Sequence, residues 1–211
     1  SVVVAPESVL EDGANDLIHT FSRTGDTSIA LTVNFDTTGS ATAGTDYAAS
    51  ATGSVAFAAG ASTATVTVDP TVDSDVEPDE TVILTVTAGA GYNVGAPASA
   101  TGTILNDDVS DVSVAVSPDS ILEDAAGVLT YTFTRTGVTA ETPALTVNVS
   151  TGGSATSGND YVAPATTVTF APGSSTATID IDPIADTDVE PDEEVTLVVD
   201  AGAGYNVGAP S

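Results

Sequence analysis

The chain contains no cysteine, so disulfides, thiol catalysis and thiolate metal sites are excluded. Lysine is absent as well. Arg23, Arg135 and the single histidine, His19, are the only basic side chains. Against them stand 30 acidic residues, for a net charge of −28. Such a chain repels nucleic acid and anionic membranes and attracts cations. No apolar run reaches the length of a membrane-spanning helix. No signal-peptide pattern opens the chain, which begins directly on a strand-like run and reads as a piece of a longer protein. With one histidine, a Ser-His-Asp triad in each half is impossible. Aromatics make up only 5% of the residues, too few to build the sugar platform that paired carboxylates would need for glycoside hydrolysis. No catalytic residue and no organic cofactor site is read, and the chain is expected not to be an enzyme.

What is present is a repeat. Ser62–Glu80, STATVTVDPTVDSDVEPDE, returns as Ser175–Glu193, STATIDIDPIADTDVEPDE. AGAGYNVGAP occurs at Ala88–Pro97 and again, unchanged, at Ala201–Pro210. SATAGTDY at Ser40–Tyr47 returns as SATSGNDY at Ser154–Tyr161, and Leu10-Glu11-Asp12 as Leu122-Glu123-Asp124. The offset stays near 113 residues, far too long for a solenoid unit but right for one β-sandwich per copy. Two domains are expected, residues 1–108 and 109–211.

Alternation of period two identifies strands. Leu31, Val33 and Phe35 share a face, as do Leu145, Val147 and Val149. Val82, Leu84 and Val86 match Val195, Leu197 and Val199. The first copy is predicted to hold seven strands, at about 2–6, 16–23, 29–36, 54–58, 63–69, 81–88 and 100–105. The second repeats six of them, at about 112–117, 128–135, 144–150, 167–171, 176–182 and 194–200. The fold class is all-β: two tandem immunoglobulin-like antiparallel sandwiches, the second lacking its last strand. Its sixth strand is then expected to leave an edge open to strand addition, with a weaker calcium site in that copy.

Consecutive strands of such a sandwich run in opposite directions, so alternate loops share a pole. In the first copy the acids gather at one pole. They are Glu11, Asp12 and Asp16 after the first strand, Asp46 after the third, and Asp73, Asp75, Glu77, Asp79 and Glu80 after the fifth. The exit from the last strand adds Asn106, Asp107 and Asp108. The second copy follows with Glu123, Asp124, Asp160, Asp186, Asp188, Glu190, Asp192 and Glu193. Two carboxylates about 4 Å apart repel by roughly 1–4 kcal/mol, depending on the local dielectric. Ca2+, which takes about 6–8 oxygen ligands, converts that repulsion into coordination. The alternative is acidity that serves only solubility, but random decoration would not favour one pole twice. The segment from Asp73 is not an EF-hand loop, because Pro78 stands where Gly is required and Leu84 where Glu is required.

Leu10-Glu11-Asp12, Gly44-Thr-Asp-Tyr47, Asp73…Glu77-Pro-Asp-Glu80 and Ile104-Leu-Asn-Asp-Asp108 together resemble the Calx-β domain family, over nearly the whole chain as two repeats. The resemblance implies an immunoglobulin-like sandwich and, as in exchanger-type members, Ca2+ bound at this pole. It implies ligands Glu11, Asp46, Asp73, Glu77, Asp107 and Asp108 in the first copy, with Asp75 offering a main-chain oxygen and Asn106 an amide oxygen. In the second copy it implies Glu123, Asp160, Asp186, Asp188 and Glu190, with no counterpart of Asn106–Asp108. The near-identity of the copies resembles family members arrayed in large surface or secreted proteins. The expected function is a calcium-binding module of an extracellular or cell-surface repeat protein, in which Ca2+ stiffens the domain junction. The alternatives are a cytoplasmic calcium-sensing module and an adhesive spacer with incidental calcium. Expected partners are calcium ions, neighbouring repeats or cell-surface partners, and strands exchanged between copies.

Other residues read as structural. His19 lies on the face of Leu17 and Phe21 and is expected in the core. Arg23 and Arg135 open matching Arg-Thr-Gly turns, with a carboxylate as one conceivable partner. Tyr47 and Tyr161 are expected to anchor their loops, and Tyr92 and Tyr205 to pack locally. Asn148-Val-Ser is a glycosylation sequon, discounted because it falls within a predicted strand.

Overall fold

A computed structural model describes residues 1–124, 126–187 and 189–209. Sixteen strands run in order: β1 Val2–Ala5, β2 Ser8–Leu10, β3 Leu17–Ser22, β4 Leu31–Gly39, β5 Tyr47–Ala49, β6 Ser54–Phe57, β7 Thr63–Pro70, β8 Glu80–Val86, β9 Ser99–Leu105, β10 Ser110–Ser117, β11 Leu129–Arg135, β12 Leu145–Gly153, β13 Thr167–Phe170, β14 Thr176–Ile181, β15 Val195–Val199 and β16 Tyr205–Val207. Among the described residues no helix is long and apolar enough to cross a membrane. The chain divides into two compact units, Ser1–Asp73 with Pro78–Asp107, and Ser74–Glu77 with Asp108–Ser211.

In the first unit one sheet has the order β1-β3-β7-β5 and the other β2-β9-β8-β4-β6. Alternation places Leu17, His19 and Phe21 of β3 on the buried side, opposite Val33 and Phe35 of β4 and Val82 and Leu84 of β8. These faces form a single core, with the Phe21 and Phe35 rings 5.3 Å apart. This is the immunoglobulin-like sandwich, with β2 joined in parallel to β9. All seven predicted strands of this copy appear. The short β2 and β5 were not foreseen, because three residues carry too little alternation to register.

The second unit repeats the design with fewer strands. One sheet has the order β14-β11-β10-β16 and the other β13-β12-β15. All six predicted strands are present, and β16 adds a parallel pairing with β10. Among the described residues nothing stands beside β15 where β9 stands beside β8.

The two arginines close equivalent corners. Arg23 donates from Nε to the Ala61 carbonyl at 2.8 Å and from Nη1 to that of Ile29 at 3.0 Å, over the Phe57 ring at 5.3 Å. Arg135 donates to the carbonyls of Ser174, Pro143 and Ala171 at 2.8, 3.0 and 3.1 Å, over the Phe170 ring at 5.2 Å. Both therefore serve main-chain oxygens. The tyrosines also turn inward. Tyr92 Oη donates to the Thr87 carbonyl at 2.7 Å and accepts from the Asn34 amide at 3.0 Å. Tyr205 repeats this with Asp200 and Asn148. Tyr47 and Tyr161 are buried in the two cores and anchor the loops that precede them.

Candidate metal centre

The loop from Thr42 to Asp46 is built around one carboxylate. The Thr42 amide donates to Asp46 Oδ2, while the Asp46 amide donates to the Thr42 carbonyl at 2.9 Å. Thr156 and Asp160 repeat both bonds. Buried Tyr47 and Tyr161 follow at once and hold each loop to its core. The carboxylate position is thereby set by backbone and not by a flexible side chain alone.

In the first unit this loop meets the segment ahead of β8. Asp46 and Glu80 offer carboxylate oxygens within 4.8 Å of each other, and so do Glu11 and Asp73. Glu11 is only 5% exposed, because β2 brings it beside β9: the Glu11 amide donates to the Leu105 carbonyl at 2.9 Å. The stretch after β9 joins the same pole. Asp107 Oδ1 accepts from the Asp12 amide at 3.3 Å, and Asp79 Oδ1 accepts from the Asn106 amide at 3.1 Å. Asp75 and Glu77, within Ser74–Glu77, and Asp108 fall with the second unit.

In the second unit Asp160, Glu190 and Glu193 form one group, with carboxylate oxygens within 4.8 Å of one another. Glu193 is held above the ordinary carboxyl range, first by a hydrogen bond with the Asp160 side chain, then by slight desolvation and by the charges of Asp160, Glu190 and Glu123. That upward shift is the electrostatic signature of crowded like charges. Glu123 Oε1 accepts from the Asp186 amide at 2.7 Å, which ties the loop before β11 to the loop after β14. Asp188 lies outside the described residues.

Two positions were missing from the ligand set implied by the resemblance. Glu80 and Glu193 end the two Glu-Pro-Asp-Glu runs, and each meets the aspartate of its own Asp-Tyr loop. Their signal was the repeat itself, since the same acid recurs at the same offset. Both stand among the acids assigned to this pole from sequence, but the resemblance gives neither of them a ligand role. The donors are all oxygens, and no histidine or thiol stands among them. This set suits a hard cation that tolerates variable geometry.

Residues 9–108 and 106–207 each match the Calx-beta domain family. No curated protein matches the chain. Among solved structures, it is similar to the calcium binding domain CBD12 of CALX1.1, at 22% identity over 93% of this chain and 79% of that one, with a TM-score of 0.43. It is similar to the apo-form Calx CBD1 domain at 27% identity, over 51% of this chain and 96% of that one, TM-score 0.43. It is also similar to the Yersinia pseudotuberculosis adhesin InvE, at 14% identity over 97% of this chain and 56% of that one, TM-score 0.43. Because the two matched segments together reach from residue 9 to residue 207, the chain belongs to the Calx-beta domain family as two tandem members.

Proposed function

We propose that this chain is a non-enzymatic calcium-binding module of an extracellular or cell-surface repeat protein. One observation carries the reading. In both units the aspartate of the Asp-Tyr loop is brought within 4.8 Å of the last acid of the Glu-Pro-Asp-Glu run. A pairing this unfavourable between anions, kept in two copies, is what a bound divalent cation would offset. Family membership supports the same reading, since exchanger-type members bind Ca2+.

Asp46 with Glu80, and Glu11 with Asp73, would supply carboxylate oxygens to calcium in the first unit. Asp160, Glu190 and Glu193 would hold it in the second. The bound ion supplies positive charge and up to about eight coordination positions, and draws separate loops into one cluster. The protein positions the oxygens through the amides of Thr42 and Thr156 and through the buried tyrosines. Asn106–Asp108 are candidate ligands and also lie where the two matched segments overlap, so calcium held there would stiffen the passage from one repeat to the next. The near-identity of the repeats favours a surface array over two specialised regulatory domains.

Calorimetric titration of chelator-stripped chain with CaCl2 tests this reading. Saturable binding is expected. It should weaken in the Asp73→Ala/Glu77→Ala double variant and, separately, in Asp160→Ala/Glu193→Ala. Absence of binding in the unaltered chain would reject the calcium reading, and unchanged binding in both variants would reject the ligands.

A further inference from the structure

One sequence motif stands apart from the metal centre. Asn148-Val-Ser150 is the acceptor pattern for an N-linked glycan, and no other asparagine of the chain is followed two residues later by serine or threonine. The motif does fall inside a strand, β12. A strand obstructs such an acceptor only if the asparagine points to the core, and alternation decides which way it points. Val147 and Val149 are buried, at 0% and 4% exposure, while Thr146, Asn148 and Ser150 are exposed. Both ends of the motif therefore stand on the outer face of the β13-β12-β15 sheet.

The surroundings leave room for a sugar on that face. Asn148 lies opposite Thr167 of β13, a short side chain that is itself exposed. Its main chain is held on both sides: the amide donates to Tyr205 Oη at 3.1 Å, and the carbonyl accepts from the Asp200 amide at 3.0 Å. The backbone is fixed while the side chain projects into solvent. The first repeat lacks the motif, because Asp36 stands where Ser150 stands and Asn34-Phe-Asp36 offers no hydroxyl. In the second repeat that hydroxyl is engaged. Ser150 Oγ donates to Asp200 Oδ1 at 2.8 Å, a partner 50 residues further along the chain. Until β15 has docked, neither this bond nor the pairing of Val149 with Val199 holds the motif.

We propose that Asn148 is the acceptor of an N-linked glycan, transferred before β15 pairs with β12. The proposal rests on the extracellular reading, since the donor, a lipid diphosphate-linked oligosaccharide, is met on a secretory route. The Asn148 side-chain nitrogen forms a bond to the anomeric carbon of the sugar. The bond from that carbon to the diphosphate oxygen breaks, and the lipid diphosphate leaves with the electron pair. The amide gives up one proton to the transferring enzyme, and nothing is oxidised or reduced. Folding then carries the glycan to the outer face, near the start of β12. The Thr156–Asp160 loop follows the other end of that strand, so the sugar leaves the oxygens of Asp160, Glu190 and Glu193 open to an ion.

The full chain, placed behind a cleavable signal sequence and translated with microsomes that carry the transferase and its donor, tests this. Mass spectrometry of the translocated chain should show one glycan, removed by peptide-N-glycosidase with the residue 148 amide left as a carboxylate. Asn148→Gln and Ser150→Ala should each lose the whole added mass, and Ser150→Thr should keep it. A bare polypeptide mass in the unaltered translocated chain, or a glycan that survives in Asn148→Gln, would overturn the proposal. Chain folded beforehand and then given to detergent-opened microsomes should be modified about tenfold less than chain kept in the unfolded state, because the motif is reached only through opening of β12. Equal modification of the two would overturn the order of events. Calcium titrations of the glycosylated chain and of Asn148→Gln should coincide. A glycan on a chain that binds no calcium would reject the calcium reading and uphold this one.

Discussion

Gly102 lies against Leu17 so closely that a Cβ at residue 102 would sit 2.6 Å from Leu17 Cδ1. Leu17 is fully buried, so it has little space into which to retreat. Gly102→Val should therefore force β9 away from the core and destabilise the first unit by about 1–3 kcal/mol. Scanning calorimetry would read the lowered melting temperature. An unchanged melt would mean that Leu17 can repack freely, against the density of this core.

Arg135 is the costliest single side chain to remove by this reasoning. It is 3% exposed, serves three carbonyls and covers the Phe170 ring. Arg135→Ala would leave those buried acceptors without their donor, at a cost of about 3 kcal/mol or more. Arg135→Lys should recover only part, because an ammonium cannot span three acceptors in a planar fork. Urea denaturation of the three proteins would give the ranking. Full stability in the lysine variant would show that charge matters here and fork geometry does not.

His19 sets a pH dependence confined to the first unit, since Tyr131 occupies its place in the second. It is fully buried, and neither ring nitrogen finds a hydrogen-bond partner of normal geometry among the described residues. Burial lowers its pKa below 6.5, opposed in part by the Ala100 backbone. The unfolded chain therefore takes up a proton that the folded chain refuses. Stability associated with neutral His19 is full above about pH 6.5 and declines as pH falls toward the folded value, by at most about 1.4 kcal/mol per pH unit. Urea midpoints at pH 7.5 and 5.5, compared with those of His19→Leu, isolate this contribution from the carboxylates. Parallel losses in both proteins would contradict it.

Calcium should raise the stability of the chain. A ligand that binds only the folded state adds about 2.7 kcal/mol per site at a hundred times its dissociation constant. Mg2+ should do less, since it demands compact octahedral geometry and gives up water reluctantly. Thermal melts in chelator, in Mg2+ and in millimolar Ca2+ would show the order. Coincident curves would favour the spacer reading, in which the acids serve solubility alone.

Much of this architecture was legible in the residues themselves. Strict alternation in segments such as Leu31-x-Val33-x-Phe35 admits one periodicity, and the repeated segments required two copies of one fold. Strand direction then sent the acidic loops to one pole, a consequence of chain topology that needs no side-chain detail. Short-range pattern could not reach further. Three-residue strands such as β2, β5 and β16 exist only because a neighbouring strand offers its edge. The arginine partners are main-chain oxygens, which no residue type announces. Sequence placed Glu80 and Glu193 among the acidic loops, but only the packed sheets brought them to Asp46 and Asp160. That approach depends on strand register and loop closure across residues far apart in the chain. For the same reason Leu17 and Leu129, equivalent in sequence, differ in burial: β9 covers one, and no strand of the described residues covers the other.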